Sequence, residues 1–174
     1  MRNTEGYSAI SVINHWITAL LVMAMLVLGL MAADAPKEAK GYIMSVHVSL
    51  GFFVFWFVLW RVGYRLYQGF PPTQGESRWQ RLLAWWVHRL VFWLLLAQVI
   101  TGPLYIFTEN EGINVFGWFT VAIPLESLGF LHGPAETLHV INGLYVLPAL
   151  LLVHIIGAAH YFATRRSTTP AELD

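Results

Sequence analysis

Four long apolar stretches, separated by polar links, dominate the pattern of residues along this chain. They run over residues 10–33, 42–66, 82–107 and 137–163. At about 1.5 Å of rise per helical residue, each can cross the roughly 30 Å hydrocarbon layer of a bilayer. The pattern therefore predicts an all-α fold, a transmembrane four-helix bundle, with residues 1–174 forming a single membrane domain.

The polar links add two expectations. The longest link, 108–136, contains the apolar and aromatic segment "VFGWFTVAIP". This segment is too short to cross the bilayer, and we expect it to lie in the membrane interface. The first apolar stretch could be mistaken for a signal peptide, but its apolar run is too long and only Arg2 precedes it, so a retained helix is predicted.

Composition strengthens the membrane prediction and excludes several chemistries. Hydrophobic residues make up 57% of the chain and charged residues only 11%, whereas soluble proteins carry about 25% charged residues. The chain has no cysteine. Disulfides, iron–sulfur clusters, thiolate-bound zinc and covalently attached c-type haem are therefore excluded. The formal net charge of zero gives no indication of nucleic-acid binding.

The distribution of basic residues predicts an orientation. If the N-terminus is cytoplasmic, the inner ends of the segments hold eight arginines and the outer links hold two lysines. Cytoplasmic loops of membrane proteins carry the excess of Lys and Arg, so both termini are expected in the cytoplasm. The inner residues are Arg2, Arg61, Arg65, Arg78, Arg81, Arg89, Arg165 and Arg166, and the outer ones are Lys37 and Lys40.

Histidines are the ionisable residues that stand out in the apolar segments. Six of the seven lie within the segments or at their ends. Ionisable residues inside a membrane are rare and usually functional. A single histidine could simply bond to a neighbouring helix, but six in four helices favour a functional site.

Depth in the bilayer sorts four of these histidines into two levels. His47 and His139 fall near the outer ends of their segments, and His15 and His154 fall at an inner level. His154 follows His139 by 15 residues, which corresponds to about 22 Å of helix. Two stacked pairs of imidazoles suit two six-coordinate b-type haems, whereas zinc or copper would need more ligands in a tighter cluster.

Small residues follow each of these four histidines by one helical turn. A haem lying against a helix needs room there, and residues i and i+4 share a helix face. Ordinary small-residue packing between membrane helices remains the alternative. With both axial positions occupied, haem iron passes single electrons and binds no oxygen, so the pattern indicates electron transfer across the membrane. The small residues are Ala19, Gly51, Gly143 and Ala158.

Several segments together resemble the bacterial cytochrome b561 family, which includes the superoxide oxidases. They are "INHWITALLVMAMLVLGL", "MSVHVSLGFFVFWFVLWRVGYR", "VHRLVFWLLLAQVITG", "INVFGWF" and "LHVINGLYVLPALLLVHIIGAAHYF". The resemblance implies a multi-pass protein of the bacterial inner membrane, a four-helix bundle that holds two b haems. It places the axial ligands at His15, His47, His139 and His154.

The chain departs from the family pattern in its last segment. The family usually spaces these two ligands one residue closer than the 15 residues found here, and often has Glu where this chain has Val140. Pro148 lies between the ligands, and a helical bulge there would absorb the extra residue. His132 remains an alternative outer ligand.

The resemblance also implies a ubiquinone site at the inner end. The candidate residues are His88, Arg89, His160, Arg81 and Trp86, with Trp85 beside it. A histidine there can hydrogen-bond a quinone carbonyl and deliver a proton. Anchoring in the inner leaflet is the alternative role for these residues. Arg61 and Arg65 could instead neutralise haem propionates, which are anionic and need partners when partly buried.

Three functional classes remain open from the sequence. The first is a superoxide:ubiquinone oxidoreductase that oxidises superoxide at the periplasmic side and reduces ubiquinone near the cytoplasmic side. The second is an electron relay between the quinone pool and a periplasmic redox protein or partner subunit. The outer links carry six acids against two lysines, which disfavours steering of an anionic substrate and suits a positively charged protein. The third is a bundle without haem.

Overall fold

The computed structural model describes residues 9–70, 72, 73, 75 and 77–167, with side chains as far as residue 164. Its helices are α1 (Ala9–Asp34), α2 (Lys37–Gln68), α3 (Arg78–Thr108), α4 (His132–Ile141) and α5 (Leu147–Ser167). A π-helical segment (Asn142–Val146) joins α4 to α5, and we call these three pieces together the fourth span. The four spans are long and apolar enough to cross a bilayer, which confirms the predicted four-helix architecture.

Part of the orientation argument falls outside this description. Arg2 lies outside the described residues, as do the side chains of Arg165 and Arg166. The positive-inside orientation therefore stays a prediction from sequence.

The helices extend beyond the apolar stretches that predicted them. The link between α1 and α2 consists only of Ala35 and Pro36, although the sequence indicated a polar link over residues 34–41. The carbonyl oxygen of Pro36 accepts the backbone N–H of Ala39 at 3.0 Å and that of Lys40 at 3.0 Å, so the new helix begins directly after the proline. Hydropathy locates the bilayer-spanning part of a helix, whereas hydrogen bonding locates its end.

The start of α3 is fixed by a capping box. The Oγ atom of Ser77 accepts the backbone N–H of Gln80 at 3.1 Å, and the Oε1 atom of Gln80 accepts the backbone N–H of Ser77 at 3.0 Å. Two otherwise unpaired N–H groups are thereby satisfied. This fixes the start of α3, which carries Gln98 on its half-buried face.

A short β-hairpin lies between α3 and the fourth span. Its antiparallel strands are β1 (Ile113–Val115) and β2 (Phe119–Val121). Ser49 of α2 fastens it, since its Oγ atom donates to the carbonyl oxygen of Asn114 at 3.0 Å and accepts the N–H of Phe116 at 3.0 Å. The sequence analysis missed this hairpin, because three-residue strands leave too short a pattern of alternation to detect.

The surface and the interior of the bundle reverse the soluble-protein pattern. Large apolar side chains point outward, including Leu20 at 69% exposure and Trp16 at 62%. Polar side chains are buried between the helices, including Asn14 at 2% and Asn142 at 1%. Lipid is as apolar as these outward side chains, so only the polar groups need internal partners.

Two ends of the bundle can be distinguished. The hairpin end carries the link at residues 35–36 and the hairpin, and the termini end is where α1 begins and α5 ends. Between them lies an apolar core of Val22, Val54, Val58, Val62 and Phe92. The core thus separates the two levels at which the histidines lie.

Candidate functional site

The four histidines selected from the sequence form two pairs inside the bundle. At the hairpin end, the ring centres of His47 and His139 lie 6.3 Å apart with an interplanar angle of 89°. At the termini end, the ring centres of His15 and His154 lie 6.4 Å apart with an angle of 76°. We call these the hairpin-end pair and the termini-end pair. Each pair brings together histidines from different spans.

The separation within each pair suits one metal atom between two imidazoles. Metal–imidazole bonds are about 2.0 Å long, and an imidazole nitrogen lies about 1.1 Å from the centre of its ring. Two rings on opposite sides of one metal would therefore have centres about 6.3 Å apart. Both observed separations match this value, although direct stacking of two imidazoles would bring them closer.

The spacing of 15 residues between the histidines of the fourth span is absorbed by the π-helical segment. Within it, the N–H of Leu147 bonds to the carbonyl oxygen of Asn142, five residues back. A π-turn accommodates one additional residue while the flanking α-helical faces keep their register. The expected bulge therefore exists, and it lies just before Pro148.

Asn142 ties this π-helical segment to α3. Its Nδ2 atom donates to the carbonyl oxygen of Leu94 and to the Oε1 atom of Gln98, both at 2.9 Å. Gln98 in turn donates from Nε2 to the carbonyl oxygen of His139 at 3.1 Å. The bulge and His139, which precedes it, are thus both held by the side chain of Gln98 in α3.

A cavity of about 470 Å³ opens beside the hairpin-end pair. Its walls are mostly apolar, and four glycines from four spans border it: Gly29, Gly51, Gly102 and Gly143. A Cβ atom at position 102 would lie 2.9 Å from the Cε1 atom of His139, and one at position 29 would lie 3.6 Å from Cε1 of His47. The glycines therefore leave room around the two rings, as a flat macrocycle between them requires.

Hydrogen bonding fixes His139 in one tautomer. Its Nδ1 atom lies 3.0 Å from the carbonyl oxygen of Gln98, which can only accept. The ring hydrogen therefore sits on Nδ1, and the lone pair is on Nε2, which lies 3.4 Å from the amide Nε2 atom of Gln98. This arrangement, with a carbonyl behind the ring, is common for metal-binding histidines.

His47 lacks such a partner. Its Nδ1 atom is buried and, among the described residues, makes no hydrogen bond. A buried unpaired nitrogen costs free energy and needs an explanation. A bond from the ring to a bound metal would provide a functional reason to keep this histidine in the bundle.

The termini-end pair has a different surrounding, rich in hydrogen-bond donors. An Nη atom of Arg61 lies 2.9 Å from Nδ1 of His15, and its other Nη atom donates to Oδ1 of Asn14 at 3.1 Å. One turn further along α2, Arg65 donates to Oγ of Ser11 at 3.2 Å. Both arginines proposed as propionate partners therefore face α1 at the level of His15.

Some of the residues assigned to the quinone site gather beside this pair. The ring centre of His88 lies 5.2 Å from that of His154. The guanidinium of Arg89 lies 3.8 Å from the ring centre of Trp85, whose own ring is 4.8 Å from that of Trp86. A histidine, a cation and two indoles thus occur together on the first turns of α3.

The other two residues assigned to that site lie apart. Arg81 donates to the carbonyl oxygen of Gly75 at 3.0 Å, in the link that precedes α3. The side chain of His160 is exposed on α5, and within the described part of the chain no ring contact or hydrogen bond joins it to His88 or Arg89. His88 is exposed as well, but its ring lies against that of His154, and this contact sets His88 apart from His160.

His132, the alternative outer ligand, has other partners. Its Nδ1 atom donates to the carbonyl oxygen of Tyr105 at 3.0 Å, and its Nε2 atom lies 3.2 Å from Oε1 of Glu109 and 3.8 Å from Oε2 of Glu136. The ring that faces His47 is that of His139. The geometry thus favours His139 as the partner of His47.

The small residues one turn after the histidines differ in what they contact. A Cβ atom at Gly51 would meet only the flexible end of Met25, at 3.3 Å, and one at Gly143 would lie 2.8 Å from Nε2 of Gln98. Ala19 and Ala158 are half-buried in α1 and α5. Among these glycines, Gly102 makes the closest approach to a histidine. The sequence analysis did not select Gly102. The feature that could have indicated it is the Gly-Pro pair at residues 102–103, inside an apolar helix.

Four membrane-spanning helices with paired, half-buried histidines define a class of protein, the membrane-embedded b-type cytochromes. A sequence model described as prokaryotic cytochrome b561 matches residues 6–171. The chain therefore belongs to the prokaryotic cytochrome b561 family. It is a haem b-binding electron-transfer cytochrome and a multi-pass bacterial membrane protein, which confirms the resemblance seen in the sequence.

One relative extends the comparison. "Cytochrome b561 homolog 2" of Escherichia coli (strain K12) is 29% identical to this chain over 167 residues, which cover 94% of this chain and 89% of the relative. The similarity thus runs through all four spans.

Proposed function

We propose that the protein carries electrons across the membrane between two b haems, one held by each histidine pair. The axial ligands are His47 and His139 at the hairpin end, and His15 and His154 at the termini end. The single observation that supports this most strongly is the near-equal separation of the rings, 6.3 Å and 6.4 Å. Haem iron with two axial imidazoles supplies one-electron transfer without an open coordination position.

The proposed orientation places the hairpin end in the periplasm and both termini in the cytoplasm, at the bacterial inner membrane. It rests on the excess of arginine at the termini end, where Arg61, Arg65, Arg78, Arg81 and Arg89 are located. In this orientation the hairpin-end pair is the outer pair and the termini-end pair is the inner one.

At the outer end, we propose that superoxide gives up its electron and leaves as dioxygen. Lys40 contributes to the wall of the cavity next to the hairpin-end pair, and a cation there attracts a small anion. Glu136 lines the same cavity, so the positive field is local rather than general.

At the inner end, we propose that ubiquinone accepts two electrons, one from each of two superoxide ions, and two protons, and becomes ubiquinol. In this proposal His88 hydrogen-bonds a quinone carbonyl, and the 5.2 Å separation between its ring and that of His154 supports this role. Arg89, Trp85 and Trp86 would hold the quinone ring, with Arg81 and His160 further out.

An electron relay to a positively charged periplasmic protein is the second candidate. The exposed carboxylates of Glu109 and Glu136 flank His132 at the hairpin end. Two acids beside the outer pair would attract a cationic partner and weaken capture of superoxide.

A reduction experiment tests the proposal and separates the two candidates. The purified protein should show a dithionite-minus-air spectrum of b haem with about two haems per chain. Superoxide should reduce it, ubiquinone should reoxidise it, and added salt should slow the first step if Lys40 steers the anion. If superoxide does not reduce the protein, the electron relay becomes the supported function. If the purified protein contains no haem, both candidates are wrong.

A paired substitution tests the quinone assignment. His88→Ala should slow reoxidation by ubiquinone while the haem content stays at about two per chain. His160→Ala on the exposed face of α5 should have the smaller effect. Unchanged reoxidation in His88→Ala with both haems retained would remove His88 from the site.

A further inference from the structure

Asn14 of α1 carries an unpaired hydrogen-bond donor inside the bundle. Its side chain is 2% exposed, and its Nδ2 atom makes no hydrogen bond among the described residues. The orientation of the amide is fixed, because its Oδ1 atom accepts from an Nη atom of Arg61 at 3.1 Å and a guanidinium has only donors. A buried N–H group without an acceptor costs free energy, especially at membrane depth. This amide therefore points to an acceptor that the described side chains do not provide.

Arg61 places a positive charge beside the same amide. Its other Nη atom lies 2.9 Å from Nδ1 of His15, so the guanidinium contacts two consecutive residues of α1. In the part of the chain that the structure describes, both ion pairs involve His132, so no carboxylate balances the charge of Arg61. A guanidinium and an amide N–H group thus lie next to each other, and together they suit an anionic oxygen.

We propose that Asn14 and Arg61 together bind one propionate carboxylate of the haem at the termini-end pair. The haem proposed between His15 and His154 carries its carboxylates on short flexible arms, and Arg61 already contacts the ring of His15. The carboxylate would supply the acceptor for Nδ2 of Asn14 and the counter-charge for the guanidinium. This inference rests on the proposed role of His15 as a haem ligand.

Asn14 differs in kind from the arginines near it. An arginine at the cytoplasmic end of a helix can serve orientation alone, and its long side chain can reach anions at several positions. The side chain of Asn14 is short, buried and held by Arg61, so its Nδ2 atom can serve an acceptor at one position only. We therefore expect Asn14 to fix where the carboxylate lies, whereas Arg61 supplies the charge.

Haem b labelled with ¹³C at its propionate carboxyl carbons is the probe. The full chain is synthesised in a cell-free system containing lipid nanodiscs, with labelled or unlabelled haem b as the sole porphyrin. Reduced-minus-oxidised infrared spectra of the two samples are compared, so that only the bands of the propionates differ between them. Lipid phosphates and acidic side chains carry no label, so they cannot contribute to this difference. The second readout is the rate at which haem passes from the protein to an added haem-scavenging protein.

Two variants at one position separate the donor from its surroundings. Asn14→Asp keeps an acceptor for Arg61 but replaces the Nδ2 donor by an anionic oxygen, so the labelled band of one propionate should shift. Asn14→Leu removes the donor at similar volume. It should also shift that band, and haem at the termini-end pair should dissociate about tenfold faster, as loss of a hydrogen bond to a charged group predicts. Asn110→Asp, at an exposed position after α3, is the matched control and should change neither readout.

The outcomes separate this inference from the function on which it rests. Unchanged propionate bands in Asn14→Asp and Asn14→Leu, with both haems retained, overturn the inference. An equal shift in Asn110→Asp also overturns it, because the added charge would then act from a distance. If Asn14→Asp binds no haem at this pair, the band of Asn14→Leu decides. If the wild-type chain binds only one haem, or if His15→Ala loses none, the assignment of the termini-end pair fails instead.

Discussion

His47 in α2 and His139 in α4 hold their rings perpendicular to one another, with centres 6.3 Å apart. The two residues are far apart in sequence, and different contacts hold them. His139 is fixed by the carbonyl of Gln98, whereas Nδ1 of His47 has no partner among the described residues. The separation of the two rings fits one bridging metal. Hydrogen bonds hold His139 in position, whereas packing holds His47.

Removing His47 should remove one haem of two. In His47→Ala the haem-to-protein ratio should fall from about two toward about one, because the outer haem loses one of its two proposed axial imidazoles. The spectrum of the purified variant measures this. His132→Ala is the control and should keep both haems, since His132 bonds to Tyr105 and Glu109 instead. Loss of a haem in the control would restore His132 as a candidate ligand.

A methyl group at position 102 should disturb the outer site. In Gly102→Ala the new Cβ atom would lie 2.9 Å from Cε1 of His139, so the ring must move, at a cost of about 1–3 kcal/mol. We expect a shifted or depleted outer haem in the optical spectrum. Gly157→Ala, whose Cβ atom would meet nothing within 4 Å, should leave the spectrum unchanged. Equal effects in the two variants would refute the clearance argument.

Deleting one residue from the π-helical segment should be tolerated. Without Tyr145, which is 68% exposed, the segment can continue as a regular α-helix, and both ligands of the fourth span keep their faces. Both haems should therefore remain. Deletion of Leu152, in the regular part of α5, is the control and should rotate His154 by about 100° and empty its site. The haem-to-protein ratio distinguishes them, and a loss in the Tyr145 deletion would contradict the account.

Removing the hydroxyl of Ser49 should destabilise the attachment of the hairpin to α2. In Ser49→Ala, the N–H of Phe116 loses its acceptor at 3.0 Å, which costs about 1–3 kcal/mol for a buried group. Hydrogen exchange at that amide should accelerate by roughly 5- to 150-fold. Ser45→Ala, one turn earlier on an exposed position of α2, should not change it. Equal exchange rates would show that packing alone holds the hairpin.

The sequence predicted the architecture because lipid imposes strong requirements on a chain. A spanning segment must be long, apolar and helical, so four such stretches were recognisable without a structure. The same requirement made histidines conspicuous, and sorting them by depth selected the two pairs. The Gly-rich positions next to them were only partly found, because i+4 spacing describes one helix and Gly102 approaches His139 from another.

Tertiary structure decided what depends on contacts between distant residues. It brought Arg61 into contact with His15, the carbonyl oxygen of Gln98 into contact with His139, and the hydroxyl of Ser49 into contact with the hairpin. It also converted the spacing of 15 residues in the fourth span into a matched register through Asn142–Val146. Hydropathy and spacing determine which residues enter the membrane and at what depth. The position of each histidine ring, by contrast, depends on the hydrogen bonds and the packing that other helices supply.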